Sequence, residues 1–504
     1  MKRLLERLGK PSVELYIGLM FAASVLLMVS VVGVIWAGHG GPGGGDTTTL
    51  AAGQARKGTK NTTLDTTADG STTESTLADG SVVGGPGSAS GTGKKKASGG
   101  SGTTSDTLPS TPGADRTGLS NTTVKWGVHA PETFGSIPVN FAKDPLQGVA
   151  NYVAYINDKM GGINGRKIDY QHFNDQYTVQ GANSAADMMV DEFKPFFGSG
   201  TLGVDQVAIV AARAKARHMP YIAGGGSEIA FKDMGLFQVG VSYDTHLSKL
   251  ADFLGKEIHR TGSPYFGLTK VGVTRLDSDY IKPSVESTFR SALTRNGLSL
   301  VKVVTVIKPT DQTDYSKQIS DLKGASVQIL VPAQDPLTTS REVQECVSQQ
   351  CTWKWTISDF AHDSNTALKL MRGSWNGYYG LSGSCYYTNA AAGDPAKCGS
   401  LKQAHEEWVA VSDEQSWQEQ GQGGIAGYQL VHFWLKALKD AGADVTREKF
   451  VAALKTYNGY SDLVSGPITF AGKSTYEHGA EKMVVWQAGV DAWSQAGPGF
   501  VDSF

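Results

Sequence analysis

The sequence predicts an α/β domain built on parallel sheets, and three observations predict it. Val124, Trp126 and Val128 open a buried strand, an amphipathic helix follows over residues 147–160, and Ile168, Tyr170 and His172 alternate as a second strand. Beyond them, apolar runs of strand length alternate with helical patterns almost to the C-terminus. Several strands end in loops of small residues, GSGTLG at 198–203 and GGGSE at 224–228. Strand, helix, strand in succession requires a crossover between parallel neighbours, and such crossovers are right-handed in nearly all sheets.

In chain order, residues 1–14 carry Lys2, Arg3, Arg7 and Lys10 against Glu6 and Glu14. Residues 15–37 (LYIGLMFAASVLLMVSVVGVIWA) hold no charge. A bilayer core needs about 20 apolar residues, so this segment is long enough to span one. The preceding positive charge places residues 1–14 in the cytoplasm and everything after residue 37 outside. A cleaved signal peptide is the competing reading. Its apolar region usually runs about 7–15 residues, and Ile35-Trp36-Ala37 is a poor cleavage site. The expectation is an uncleaved single-span anchor in the cell membrane. Residues 38–122 are rich in Gly, Ser and Thr and contain no aromatic residue, so they cannot bury a core. They are expected to form a disordered tether with an end-to-end distance on the order of 50 Å.

From residue 123 the composition becomes globular. Val149, Tyr152, Val153, Tyr155 and Ile156 fall on one helical face, Gly161-Gly162 stops the helix, and Asn164-Gly165 turns the chain into the next strand. Helices are predicted over 181–193 and 205–218, with strands at 219–223 and 237–240. A second half repeats the pattern, with strands at 270–274, 301–307, 328–331 and 353–357. Helices at 282–295, 315–322 and 340–348 lie between them. Helical patterns return at 401–414, 425–441 and 447–456, and a strand pair near 468–470 and 483–487 closes the chain. At 504 residues, 40% hydrophobic, the chain is long enough for a sizeable core. A net charge of −2 with no basic domain argues against a nucleic-acid partner. The four cysteines fall in two close pairs, and outside the cytoplasm Cys346 is expected to pair with Cys351 and Cys385 with Cys398.

Read together, VKWGVHAP, QGVANYVAYINDKMGGINGRKI with FNDQ, GSGTLG, PYIAGGGSE, GYQLVHFWLKALKDAG and SGPITFAGKSTYEHG resemble the type I periplasmic-binding-protein superfamily. The resemblance runs from residue 124 to about 493 and is to the leucine/isoleucine/valine-binding branch. It implies two doubly wound, Rossmann-like lobes joined by three crossovers, with ligand in the cleft between them. Lobe one would hold about 123–240 and 378–458, and lobe two about 241–377 and 459–504. By position, it implies ligand contacts from Ser199, Gly200, Thr201, Gly226, Ser227 and Glu228 in lobe one. Lobe two would add Tyr280, Gln334, Asp335 and Asp359. The residue chemistry agrees. Small residues admit backbone N–H groups, hydroxyls donate, and a following helix N-terminus favours an anion such as a carboxylate. Asp359 or Glu228 would accept a ligand ammonium. The first loop, 130–135, departs from the family pattern by lacking its Ser-Gly pair.

Rival motifs are weak. Gly198-x-Gly200-x-x-Gly203 matches a dinucleotide fingerprint literally, but about 20 residues on stands His218-Met219-Pro220-Tyr221 in place of an acid. HExxH, Cys-x-x-Cys and GxSxG patterns are missing, and the ten histidines are scattered. The expectation is therefore a non-enzymatic solute-binding protein of an ABC importer, without cofactor or metal. It would bind an amino acid or similar small carboxylate or amide and deliver it to a permease. A ligand-sensing ectodomain working with a separate signalling partner is the alternative.

Overall fold

The computed structural model describes residues 114–496 apart from 139, 225, 228–230, 233, 309–310, 358–361, 363, 384–400, 461–466, 473–483 and 490–492. The predicted membrane span, the tether up to residue 113, Glu228, Asp359, Cys385 and Cys398 lie outside the described residues. Among the described residues, no helix is long and apolar enough to cross a membrane.

The first sheet grows from β1 (Thr123–Ala130), whose Val124, Trp126 and Val128 are all buried. Helix α1 (Lys143–Ala154), continued by a π turn at Tyr155–Lys159, leads to β2 (Lys167–Asn174). Asn157 pins the two together. Its amide donates to the Ile168 carbonyl at 2.9 Å and accepts from the Ile168 N–H at 2.8 Å. Next come α2 (Val179–Ala186), β3 (Phe197–Gly200), α3 (Val204–Ala216), β4 (Tyr221–Ala223) and β5 (Phe237–Gln238). These five strands are parallel in the order β2-β1-β3-β4-β5.

The chain then crosses to the second lobe through α4 (Tyr243–Glu257). There β6 (Lys270–Leu276), α5 (Arg290–Arg295), β7 (Ser299–Val306), α6 (Ser316–Gly324), β8 (Ile329–Ala333), α7 (Pro336–Ser348), β9 (Lys354–Trp355) and α8 (Asn365–Met371) follow. The parallel order is β7-β6-β8-β9. Helix α7 starts four residues before its predicted position because Asp335 caps it and Pro336 occupies its first turn. Cys346 in the last turn of α7 and Cys351 just beyond it form a disulfide with Cα atoms 5.1 Å apart.

Strand β10 (Tyr379–Ser382) stays in lobe two, although the sequence predicted a crossover at residue 378. Gly380 bridges Ile357 in parallel, and the Tyr379 N–H donates to the Tyr265 hydroxyl at 3.0 Å. The chain next returns to lobe one as α9 (Leu401–Val409), α10 (Glu414–Ala441) and α11 (Arg447–Lys455). Tyr460, Ile468 and Phe470 remain there, not in lobe two as predicted from 459, because Tyr460 bridges Ile468 and Phe470 packs against Phe237, Phe433 and Tyr457. The third crossover leads to β11 (Val484–Ala488) and β12 (Trp493–Gln495), antiparallel beside β10.

Described residues before the predicted boundary at residue 123 also pack on this domain. Asp115 pairs with Arg447 at 2.8 Å and Leu119 packs on the core. The long helix α10 covers lobe one. Tyr428 stacks on Tyr152 with ring centroids 4.0 Å apart, and Trp434 meets Trp126 at 4.9 Å. Gly427 allows this approach, since a Cβ there would lie 1.9 Å from the Pro145 carbonyl oxygen.

Candidate ligand-binding site

A cavity of 210 Å³ lies between the lobes. Its walls are strand ends and the helix starts that follow them, where open α/β sheets place ligands. From lobe one come Pro131 and Phe134 after β1, Thr201 to Val204 after β3, Gly224 after β4 and Val239 to Val241 after β5. Asp144 on α1 and Ala426 and Gln429 on α10 complete that side. From lobe two come Leu276 and Ile281 after β6, Gln334 to Pro336 after β8, and Ser364 and Thr366 at the start of α8.

Of the predicted site residues, the structure brings Thr201, Gln334 and Asp335 together on this cavity. The Thr201 hydroxyl and the Gln334 side-chain carbonyl are buried with no partner among the described residues. The others are engaged elsewhere. Ser199 is fully buried and accepts the Trp126 indole N–H at 3.0 Å, so its hydroxyl faces the lobe-one core. Thr201 lies one residue past the end of β3, outside the strand's alternation, and it is Thr201 that lines the cavity. Gly200 lies over the Tyr221 hydroxyl, 2.2 Å from where a Cβ would sit, and Gly226 over the Phe231 ring at 1.8 Å. Ser227 and Ser284 both bond the Asp244 carboxylate, at 3.3 and 2.9 Å. Tyr280 packs beside Phe231, ring centroids 6.3 Å apart, and does not line the cavity.

Sequence reasoning missed the aromatic wall of Phe134, Phe141, Tyr177 and Tyr243, and also Asp144 and Gln429. Phe134 lies in the loop that departs from the family pattern and Phe141 shortly after it, which was the one available signal. Gln429 arrives from almost three hundred residues away and had none.

Among the described residues, the lining holds no lysine or arginine. Burial pushes the Asp144 carboxyl above its ordinary value, and Thr366 donates to it across the cleft at 3.3 Å. Burial also raises Asp335, although the N–H and hydroxyl of Thr338, at 2.9 and 2.6 Å, pull the other way. Burial, with Asp335 nearby, holds the Tyr177 hydroxyl well above its ordinary value. Helix α3 begins at Gly203 with φ 82° and no side-chain cap, so its first N–H groups and dipole are left for a ligand to satisfy.

Beside the cavity, Asp205 of lobe one is held by two lobe-two groups. Ser278 donates to it at 2.6 Å and Lys308 pairs with it at 2.9 Å. The Lys308 ammonium also lies 4.9 Å above the Tyr177 ring. Among the described residues, no group of three or more His, Cys, Asp or Glu is placed to hold a metal.

Residues 123–492 match the family model described as periplasmic binding protein. A leucine-binding protein from Thermotoga maritima is 16% identical, with a TM-score of 0.59 over 74% of this chain and 98% of its own. A fatty-acid ABC transporter substrate-binding protein from Thermomonospora curvata is 19% identical, with a TM-score of 0.62 over 77% and 95%. An ABC transporter solute-binding protein from R. palustris, in complex with benzoate, is 13% identical, with a TM-score of 0.60 over 75% and 97%. No match was found among curated proteins. At such identities the structural likeness carries the fold and leaves the ligand open. The family match spans both lobes and every wall of the cleft, and the chain belongs to the periplasmic binding protein family, with the type I fold.

Proposed function

We propose that this chain is an extracytoplasmic solute-binding protein of an ABC importer, tethered through residues 15–37, that carries an amino acid or similar small carboxylate or amide in its cleft. The observation that carries the reading is a cavity of 210 Å³ walled by both lobes. That is many times the roughly 10–15 Å³ one water needs. Thr201 and the uncapped start of α3 suit a carboxylate. Asp144 and Asp335 suit an ammonium or amide N–H, the Gln334 amide offers one further hydrogen bond, and the aromatic wall suits an apolar body. Relatives of the same fold named for leucine, or complexed with benzoate, support this class of ligand. A thermal-shift screen of amino acids, their amides and small aromatic carboxylates tests it. Binding at a hundredfold excess over Kd adds about 2.7 kcal/mol of stability. Tm shifts from sugars or polyamines alone would contradict the reading.

Ligand favours closure because it touches both lobes only when they are together. The bonds of Asp205 to Ser278 and Lys308 also exist only in that state, so they add to apparent affinity without touching ligand. Charge-assisted hydrogen bonds are typically worth about 1.5–3 kcal/mol. Asp205→Ala is therefore expected to weaken binding by roughly tenfold to a hundredfold in calorimetry. Unchanged affinity would show that these bonds do not favour the closed state.

A further inference from the structure

We propose that Glu342, which lies behind the cleft wall, sets whether Gln334 offers the ligand a hydrogen-bond donor or an acceptor, and thereby which charged end of a ligand that wall prefers. The inference rests on the cleft being the ligand site.

Gln334 follows β8, lines the cavity and is only 2% exposed. One end of its amide meets the Glu342 carboxyl at 2.5 Å, and the other has no partner among the described residues. Glu342 is itself fully buried on α7 and accepts the Thr274 hydroxyl at 3.1 Å. An amide presents two donors at one end and an acceptor at the other, and a half-turn about its last torsion exchanges them. An ionised carboxylate only accepts, so it holds the NH2 of Gln334 toward itself and leaves the carbonyl facing the cavity. That is the arrangement in the structure. A protonated carboxyl donates, so it takes the carbonyl of Gln334 and turns the NH2 toward the ligand.

The surroundings make this exchange accessible near neutral pH. From β6, Glu342 faces the uncharged Thr274; from the loop before α7 it faces Asp335, a like charge. On the neighbouring turn of α7, Thr339 bonds His362, which burial keeps neutral by lowering its pKa to about 3. Among the described residues, no lysine or arginine pairs with Glu342. Burial, helped by nearby Asp335 and opposed by the Thr274 and Gln334 bonds, raises its pKa to about 8. Below that pH the wall presents a donor, suited to a carboxylate. Above it, the wall presents an acceptor, suited to an ammonium.

The test uses L-leucine and its two half-molecules, 4-methylpentanoate and 3-methylbutylamine, neither of which titrates between about pH 6 and about pH 9.5. In the wild-type protein the ratio of carboxylate to amine affinity is expected to fall roughly tenfold across that range, the size of one hydrogen bond to a charged group. In Glu342→Gln, which carries no titrating group, the ratio is expected to stay constant across that range. A flat ratio in the wild type, or the same fall in the variant, overturns the proposal. If none of the three compounds binds, it is the cleft reading that fails. NMR of the ligand-free protein then decides the inference alone. The Glu342 carboxyl carbon and the Gln334 side-chain NH2, assigned by its loss in Gln334→Leu, are expected to titrate together near pH 8. A Glu342 transition in the ordinary carboxylate range, or a Gln334 resonance that does not follow it, overturns the inference.

Discussion

Ala426→Trp is expected to abolish ligand binding while leaving the protein folded. Ala426 sits on the cleft-facing side of α10, lines the cavity and remains exposed in an otherwise buried stretch of that helix. An indole there enters the cavity and occupies the space that the ligand needs. It also competes for the apolar wall, since a buried aromatic side chain covers about 150–250 Å². The α10 backbone is not strained, because tryptophan is tolerated in helices at a cost of less than about 1 kcal/mol relative to alanine. The expected loss in affinity exceeds roughly a hundredfold, or about 2.7 kcal/mol. Calorimetry against the best compound from the screen reads it, with the Tm of the ligand-free variant as the control for folding. Retained affinity would place the ligand outside this cavity.

Gly427→Ala, one residue away, is expected to do the opposite and damage the fold itself. A Cβ at this position would lie 1.9 Å from the Pro145 carbonyl oxygen and 2.8 Å from its carbon. Both are backbone atoms, so relief requires α1 and α10 to separate. Separation loosens the Tyr152–Tyr428 stack and the Trp434 contact with β1. Overpacking of this kind costs about 1–3 kcal/mol, and the rigid obstacle puts this site at the upper end. In a thermal melt the fall should be at least roughly 5 °C, given about 2–4 °C per kcal/mol for domains of up to 250 residues. Equal Tm values for variant and wild type would mean that the two helices are not in close contact. Together the neighbouring variants separate the two jobs of α10, since one face walls the cavity and the other holds lobe one together.

Much of the fold is legible in the sequence because periodicity reports which face is buried. Val124, Trp126 and Val128 alternate, and they are core. Asn157 lies inside the motif that suggests the family, and its side chain ties helix to strand by two main-chain bonds. The site is less legible, for a geometric reason. Whether a loop residue faces the cleft or the core depends on where its strand ends, and a shift of one residue reverses the direction. Ser199 lies within β3 and faces the core, whereas Thr201 lies just past the strand's end and lines the cavity. Ser227 is drawn off by Asp244 and Ser284, a tertiary contact with no local signature. The lobe boundaries near 378 and 459 moved for a similar reason, since Gly380 and Phe470 are claimed by partners distant in sequence.

Hydrogen exchange on the full chain, with and without the best compound from the screen, tests most directly that one ligand is held by both lobes. Closure should slow exchange of the amides around Thr201–Val204 in lobe one and of those around Gln334–Thr338 in lobe two, together and at the same ligand concentration. Exchange reports local opening, so protection there reads the closed cleft itself. Protection confined to one lobe, or centred on α6 away from the cavity, would contradict the account.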